Sequence, residues 1–184
     1  MKYVTGIFAA LLTVLLLFLF PLYEQARSQD KIANAIVQSA STQFIDSART
    51  KGYITPQMWN DFNSQLAATG NQYDVKLEHL HKLISPNYSD PADPATFQGD
   101  FTTYYTAYFN DQIMPVMFPN NNTVPIDDAS RRYIMQVGDY IGINLTNTNR
   151  TAATQLWDFL MNDNTGQSAS VLMNYKGMIV NEDY

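Results

Sequence analysis

Two histidines and a glutamate lie close together within residues 73–81, which read YDVKLEHLH. Apolar and polar residues alternate here, and this alternation predicts a β-strand. On a strand, His79 and His81 would point to one face about 7 Å apart, a spacing that two metal ligands can use. They are the only histidines in the chain, so a metal would need further ligands from elsewhere. We therefore favour a solvated or hydrogen-bonded pair over a metal site that includes Glu78.

Aspartates are concentrated in two polar segments of the sequence. Asp90, Asp93 and Asp100 belong to one of these segments, and Asp127 and Asp128 to the other. Oxygen-rich loops outside the cell can bind calcium. However, the spacing matches no EF-hand loop, and aspartate beside proline is common in turns. Calcium stays an open alternative, and we expect no metal and no cofactor.

No motif for catalysis or nucleic-acid binding is present in the sequence. There is no G-x-S-x-G motif for a serine nucleophile and no glycine-rich phosphate loop. The chain has no cysteine, which excludes thiolate metal sites, disulfides and cysteine nucleophiles. A net charge of −6 without a basic run lacks the footprint of a protein that binds nucleic acid. Paired carboxylates that meet only in the fold are not favoured by any pattern, and we expect no enzyme.

Residues 4–22 form an uncharged apolar stretch, which as a helix would span about 28 Å and so could cross a bilayer. We favour a retained transmembrane helix over a cleaved signal peptide, because the stretch is long and no small-x-small site follows Pro21. Pro21 should kink this helix near the membrane exit. Lys2 is the only charged side chain before the stretch, so the expected orientation, with the amino terminus inside, depends on few charges.

After Leu22 the sequence has neither glycine nor proline until Gly52, and apolar residues recur at helical spacing. The helix should continue as an amphipathic stalk to about Ala48. Its apolar face would either dock on the chain's own head or contact other subunits, and the sequence leaves both alternatives open. We predict a transmembrane helix over 1–23, a stalk helix over 24–51 and an extracytoplasmic α+β head over 52–184.

The head should alternate helices and strands. We predict a helix that starts at Thr55-Pro56 and stops at Gly70, a strand over 73–81, a loop over 85–100, an aromatic-faced helix over 101–117, one or two strands over 133–146 broken at Gly138-Asp139, a short helix around 156–160, and a closing strand over 169–180 with a bulge at Gly177. The helical spacing favours core packing over a sugar or peptide site for the tyrosines of residues 104–108.

These elements predict an α+β fold in which helices pack on one face of a small sheet. If residues 138–180 form a strand–helix–strand crossover, its two strands should be parallel and its connection right-handed. The strand order is not readable from the sequence.

The segments KGYITPQMW, ATGNQYDVKLEHLHK and YKGMIVNEDY resemble a family of single-pass proteins of Gram-positive bacteria. The genes of that family tend to accompany tight-adherence (Tad) or type IV pilus-like machinery. The resemblance implies a pilin-like or pseudopilin-like structural component, with an apolar helix extended into a stalk and capped by an α+β head. Two features depart from it: no charged leader precedes the helix, and Thr5 stands where mature pilins usually carry glutamate.

The resemblance implies an assembly surface along the N-terminal helix. Its candidate residues are Leu12, Leu16, Phe20, Pro21, Ile32, Ile36, Ala40 and Phe44. The implied partners are copies of this chain or other pilin-like subunits, the membrane and the assembly machinery. Either the sequence is already trimmed, or the chain is an accessory subunit that escapes the usual processing, which Met1 favours. The alternative function is a monomeric, membrane-anchored binding or sensor domain outside the cell.

Overall fold

The fold is α+β, as predicted, and its described residues form one long helix, a four-stranded and a two-stranded antiparallel sheet, and three shorter helices. The computed structural model describes residues 2–120, 123–161 and 170–181. The elements are α1 (Lys2–Lys51), β1 (Tyr53–Ile54), α2 (Pro56–Ala67), β2 (Tyr73–Tyr88), β3 (Phe97–Phe109), α3 (Asn110–Met117), β4 (Tyr133–Ile134), β5 (Tyr140–Asn147), α4 (Ala152–Met161) and β6 (Ser170–Met178), with single 3-10 turns at Pro94–Thr96 and Ala129–Arg131.

Helix α1 has 50 residues and runs without interruption through Pro21. Its N-terminal part is long and apolar enough to cross a membrane. Its C-terminal half instead belongs to the core of the head, where Val37, Phe44 and Ile45 are at most 5% exposed. The predicted helix is confirmed, and of the two alternatives for its stalk, docking on its own head describes this half.

The main sheet has the strand order β3-β2-β5-β6, and every neighbouring pair is antiparallel. Leu77 of β2 and the alternate residues Ile141, Ile143 and Leu145 of β5 are fully buried or nearly so. This period of two places the apolar side chains on one face of the sheet, where they form one core with the buried residues of α1. Helix α1 and strand β6 are also joined at their ends, because the Arg49 guanidinium donates to the Met178 carbonyl at 2.9 Å.

Helix α2 begins as predicted. The Thr55 hydroxyl accepts from the Met58 backbone N–H at 3.1 Å, and Pro56 occupies the first turn, where its missing N–H has no partner to lose. The aromatic rings of Phe62 and Phe44 stack at a centroid distance of 4.9 Å. The N-cap thus sets the start of the helix, and the stacked rings fix it against α1.

The predictions for residues 85–117 are largely wrong. The segment 85–100 is not one loop, because β2 continues to Tyr88 and β3 starts at Phe97. Residues 81–88 have a partner only in β3, and a strand with one free edge accommodates Pro86. The predicted helix over 101–117 is a strand as far as Phe109, and only its last eight residues are helical.

The change from strand to helix occurs at Asn110, whose side chain continues the sheet. Its amide donates to the Val75 carbonyl and its oxygen accepts from the Leu77 N–H, both at 2.7 Å. The tyrosines before it are not in the core: Tyr104 is 49% and Tyr105 44% exposed. Their three- and four-residue spacing suggested a helix, but the aromatic and threonine content of this stretch is typical of a strand.

The predicted parallel crossover between β5 and β6 is also wrong, since these strands are antiparallel neighbours. Helix α4 lies between these strands in the chain and contacts α1. The connection through α4 therefore leads back to the position next to β5 in the sheet. The bulge is not at Gly177, which pairs regularly with Ile141; the register shifts between Leu145 and Thr146. Gly177 matters for another reason, because a Cβ atom there would clash with the Arg49 side chain.

Replacing Phe44 with alanine should destabilise the head, because the ring is 5% exposed and its loss leaves a cavity between α1 and α2. We expect the free energy of unfolding to fall by about 3–5 kcal/mol. The measurement is urea unfolding of the full chain in detergent, followed by circular dichroism. Ile36→Ala is the control on the same helix, since Ile36 is 39% exposed. Equal losses for both variants would contradict the docking of α1 through Phe44.

Candidate functional site

The most buried ionisable group in the head is Asp139, which is 1% exposed. It lies at the end of a tight turn between β4 and β5, in which its N–H donates to the Gln136 carbonyl at 3.1 Å. Gly138 permits this turn with a φ of 93°. The Asp139 carbonyl accepts from the Ile179 N–H at 2.8 Å, so the turn is also attached to the end of the last strand.

Two histidines of β2 point at the Asp139 carboxylate. His79 Nε2 lies 2.9 Å from Oδ2, and His81 Nδ1 lies 3.1 Å from Oδ1. The carboxylate also accepts from the backbone N–H groups of Lys82 and Gln136, at 2.9 and 2.8 Å. As the sequence predicts, the two histidines share one face of the strand. Their common partner comes from a residue about 60 positions later in the chain.

Tyr133 completes this cluster, with its hydroxyl 2.8 Å from His79 Nδ1. Burial raises the Tyr133 pKa to about 12, with further contributions from Tyr108 and Asp139, so the phenol keeps its proton. It can therefore donate to Nδ1, and this assigns to His79 the tautomer with its proton on Nε2, directed at Asp139. One neutral tautomer satisfies both ring nitrogens of His79.

The charge of the cluster follows from the pKa shifts. Burial opposes ionisation of Asp139, but the hydrogen bonds from Lys82, Gln136 and both histidines prevail and lower its pKa to about 2. Burial also lowers the His79 pKa, and this outweighs the opposite effect of Asp139. At neutral pH the site is therefore an ionised carboxylate beside a neutral His79.

This geometry has two chemical uses. One ligand atom from each of His79, His81 and Asp139 lies within 4.8 Å of the others, so these three could hold a divalent ion, with Tyr133 supporting His79 as an outer partner. Without an ion, each donor directed at the carboxylate has one of its two oxygens as acceptor. Because hydrogen bonding alone accounts for the geometry, we interpret the cluster as a structural one. In the described residues, the hydrogen-bond partners of the two histidines are Tyr133 and Asp139, and not a serine or threonine hydroxyl.

The weak calcium candidates are not brought to this cluster. Asp90 and Asp93 cap their own turn, accepting from the N–H groups of Ala92 and Ala95 at 3.0 and 2.9 Å. Asp100 lies on β3 and is exposed. Within the described part of the chain, the one group of potential metal ligands is the histidine–aspartate cluster. The sequence analysis missed Asp139 as a partner, and its only signal was the adjacent glycine at a strand break.

The second feature with functional meaning is the exposed apolar surface of α1. Of the predicted assembly residues, those near the N-terminus are open to solvent: Leu12 is 49%, Leu16 52% and Phe20 66% exposed, and Pro21 is exposed as well. Ile32 and Ile36 are 59% and 39% exposed. Ala40 and Phe44 are instead buried in the head. A filament subunit should leave them exposed together with Ile36, whereas a binding or sensor domain should cover them, so at these two positions the prediction for a filament subunit is wrong.

No protein-family model, curated protein or solved structure matches the chain. Any assignment of function therefore depends on the residues and geometry of the chain itself.

Replacing Asp139 with asparagine should destabilise the protein at pH 7, because an amide nitrogen would face either the Lys82 or the Gln136 N–H. We expect a loss of about 1–3 kcal/mol in the free energy of unfolding. The acid response should change too. In the native protein, the low His79 pKa removes stability as the pH falls below its unfolded value of about 6.5, and the depressed Asp139 pKa removes more between about pH 4 and pH 2.

The variant should lack the step between about pH 4 and pH 2. The measurement is thermal unfolding against pH by circular dichroism. Asp74→Asn is the matched control, since Asp74 lies on β2 with its side chain 49% exposed, and its carboxylate pairs with Lys76 at 3.4 Å. An unchanged acid profile in Asp139→Asn would contradict the proposed charge of the cluster.

Proposed function

We propose that this chain is a membrane-anchored, pilin-like structural subunit that assembles through its N-terminal helix and displays the α+β head outside the cell. The observation that carries this proposal is that the two ends of one helix have different surroundings. Its C-terminal half completes the core of the head, while its apolar N-terminal part is exposed at every residue from Tyr3 to Phe18. A subunit built in this way carries its anchor as a rigid extension of its own core.

The apolar half needs a cover other than water. Large side chains such as Phe8, Leu17 and Phe18 are 68–72% exposed in the isolated chain, and burying each would contribute about 1.5–3 kcal/mol. A bilayer can cover these residues, and so can a bundle of the same helices. Exposure of this part alone therefore supports an anchor and is neutral about assembly.

Two isoleucines favour assembly over a simple anchor. Ile32 and Ile36 lie 10 and 14 residues beyond Leu22, which places them about 15 and 21 Å along the helix from the end of the apolar stretch. At that height lipid tails cannot cover them, yet both are more than one-third exposed. Contact with another protein, such as a neighbouring copy, is the cover that fits this position.

A different surface supports a second candidate, a binding or sensor domain on a membrane anchor. Four aromatic residues recur at every fourth position along the edge strand β3: Phe97, Phe101, Tyr105 and Phe109, which are 42–61% exposed. An exposed aromatic row is common at recognition sites. This candidate explains the aromatic row but leaves the exposure of Ile32 and Ile36 without a partner.

The test of the leading proposal is electron microscopy of material sheared from cells that produce the protein, combined with mass spectrometry of its subunits. A structural subunit should appear in filaments or filament stubs. If the whole population instead stays in the membrane fraction as monomers, the proposal fails and the binding domain becomes the better account.

A single introduced cysteine can report contact between neighbouring stalks, since the chain has no cysteine of its own. We expect Ile36→Cys to give a covalent dimer with a short bismaleimide in intact cells, detected by immunoblot of denaturing gels. Gln65→Cys is the control, because Gln65 is exposed on α2. Dimers from neither variant, or equally from both, would argue against assembly through the stalk.

A further inference from the structure

Helix α4 lies beside α1 at the place where α1 would leave a membrane. The Thr151 hydroxyl donates to the Asp30 carboxylate at 2.7 Å, just before α4 begins. Further along α4, the rings of Trp157 and Tyr23 lie with their centroids 5.5 Å apart. Tyr23 directly follows the apolar stretch that ends at Leu22, so α4 packs against α1 at the predicted membrane exit.

The two contacts show which way α4 points. From Thr151 to Trp157 the chain advances six residues, while the matching partners on α1 step back by seven, from Asp30 to Tyr23. At 1.5 Å per residue these are about 9 and 10 Å, so α4 runs antiparallel to α1 and close along it. Continuing for four residues brings Met161 about 6 Å lower, near the level of Leu19.

The burial of α1 agrees with this placement. Side chains from Tyr3 to Phe18 are all exposed, and the first partly covered one is Leu19. Tyr23, Ala26 and Asp30 follow on the same side at intervals of three and four residues, and are also partly covered. Helix α4 therefore covers α1 down to a residue inside the apolar stretch.

The C-terminal end of α4 exposes large apolar side chains, and one of them, Trp157, also packs against Tyr23 of α1. Trp157 is 41%, Phe159 76%, Leu160 39% and Met161 56% exposed. The one charged residue among them, Asp158, has a side chain only 12% exposed and forms an ion pair with Arg150. The end of α4 thus presents large apolar side chains and no unpaired charge.

We propose that α4 is a membrane-contacting helix whose C-terminal turns, from Trp157 to Met161, enter the headgroup region and the upper acyl chains of the bilayer beside α1. The patch adjoins the apolar stretch of α1 and reaches about 5 Å below its end, so it lies at the boundary between headgroups and acyl chains if that stretch crosses the membrane. Tyr23 and Trp157 are side chains that favour the membrane interface.

A lipid surface fits this patch better than a second copy of the chain. A protein partner would have to reach the level of Leu19, which lies inside the stretch that the bilayer surrounds when α1 crosses the membrane. The proposal depends on α1 crossing the membrane and not on filament assembly. Contact with lipid would fix the head against the membrane, since α4 and α1 would enter it together.

The chain offers an internal depth probe, because it has two tryptophans, Trp59 and Trp157. Trp59 packs against Phe44 at a centroid distance of 6.0 Å, and Phe44 lies about 32 Å further along α1 than Tyr23. Trp59→Phe leaves Trp157 as the only indole, and Trp157→Phe leaves the control. The full chain is reconstituted in phosphatidylcholine–phosphatidylglycerol vesicles that carry bromine in the upper acyl chains.

We expect the bromolipids to quench most of the Trp157 emission and to leave Trp59 unchanged, with Trp157 protected from aqueous acrylamide. Quenching of Trp157 by acrylamide with no effect of bromolipid would overturn the proposal. Protection from both quenchers would also overturn it, because the patch would then be covered by protein. Comparing the native chain with Trp157→Phe gives the same answer if Trp59→Phe disturbs the core.

Flotation of the vesicles separates this proposal from the anchor itself. Chains that do not float with the vesicles would show that α1 does not insert, which would overturn the anchor and the proposal together. Chains that float while Trp157 stays open to acrylamide would overturn the role of α4 alone.

Discussion

The fold depends on the docking of the C-terminal half of α1 against the antiparallel sheet. Small residues such as Ala33, Ala40 and Ala48 let the helix lie close, and Phe44 fills the space towards α2. Without this helix the core face of β2 and β5 would be open to water. The same contact makes the exposed part of α1 a continuation of a packed core, so the direction in which α1 leaves the head is set by helix packing and not by a linker.

The histidine–aspartate cluster has a different role, which is to hold several segments of the head together. Strand β2, the turn before β5 and the short strand β4 contribute residues to it, and the Asp139 backbone reaches the last strand. A buried carboxylate is costly unless its oxygens are paired, and here two backbone N–H groups and two imidazoles pair them. Removal of one partner would leave the others unsatisfied, so the buried carboxylate favours this one arrangement of its partners.

The sequence predicts those parts of the structure that local patterns control. The uncharged run before Leu22, the Thr55-Pro56 cap and the glycine at position 52 each act over a few residues, and the helices they imply are present. The errors concern non-local pairing. The aromatic spacing of residues 101–109 fits a helix or a strand, and only the pairing with β2 decides for the strand. Likewise nothing near His79 in the sequence points to Asp139, which lies 60 residues away.

The exposed apolar residues of this chain could be covered in different ways. The distance of each residue along α1 from the apolar stretch distinguishes them. If α1 crosses a membrane, residues before Leu22 lie within reach of lipid tails, and so does the end of α4, which packs beside Tyr23. Ile32 and Ile36 are exposed about 15 and 21 Å beyond Leu22, and in the proposed assembly they contact a neighbouring stalk. If α4 is held in the interface, rotation of the head about α1 is restricted. The two isoleucines of every copy would then face a fixed direction in the membrane plane, which lowers the entropic cost of bringing neighbouring stalks together.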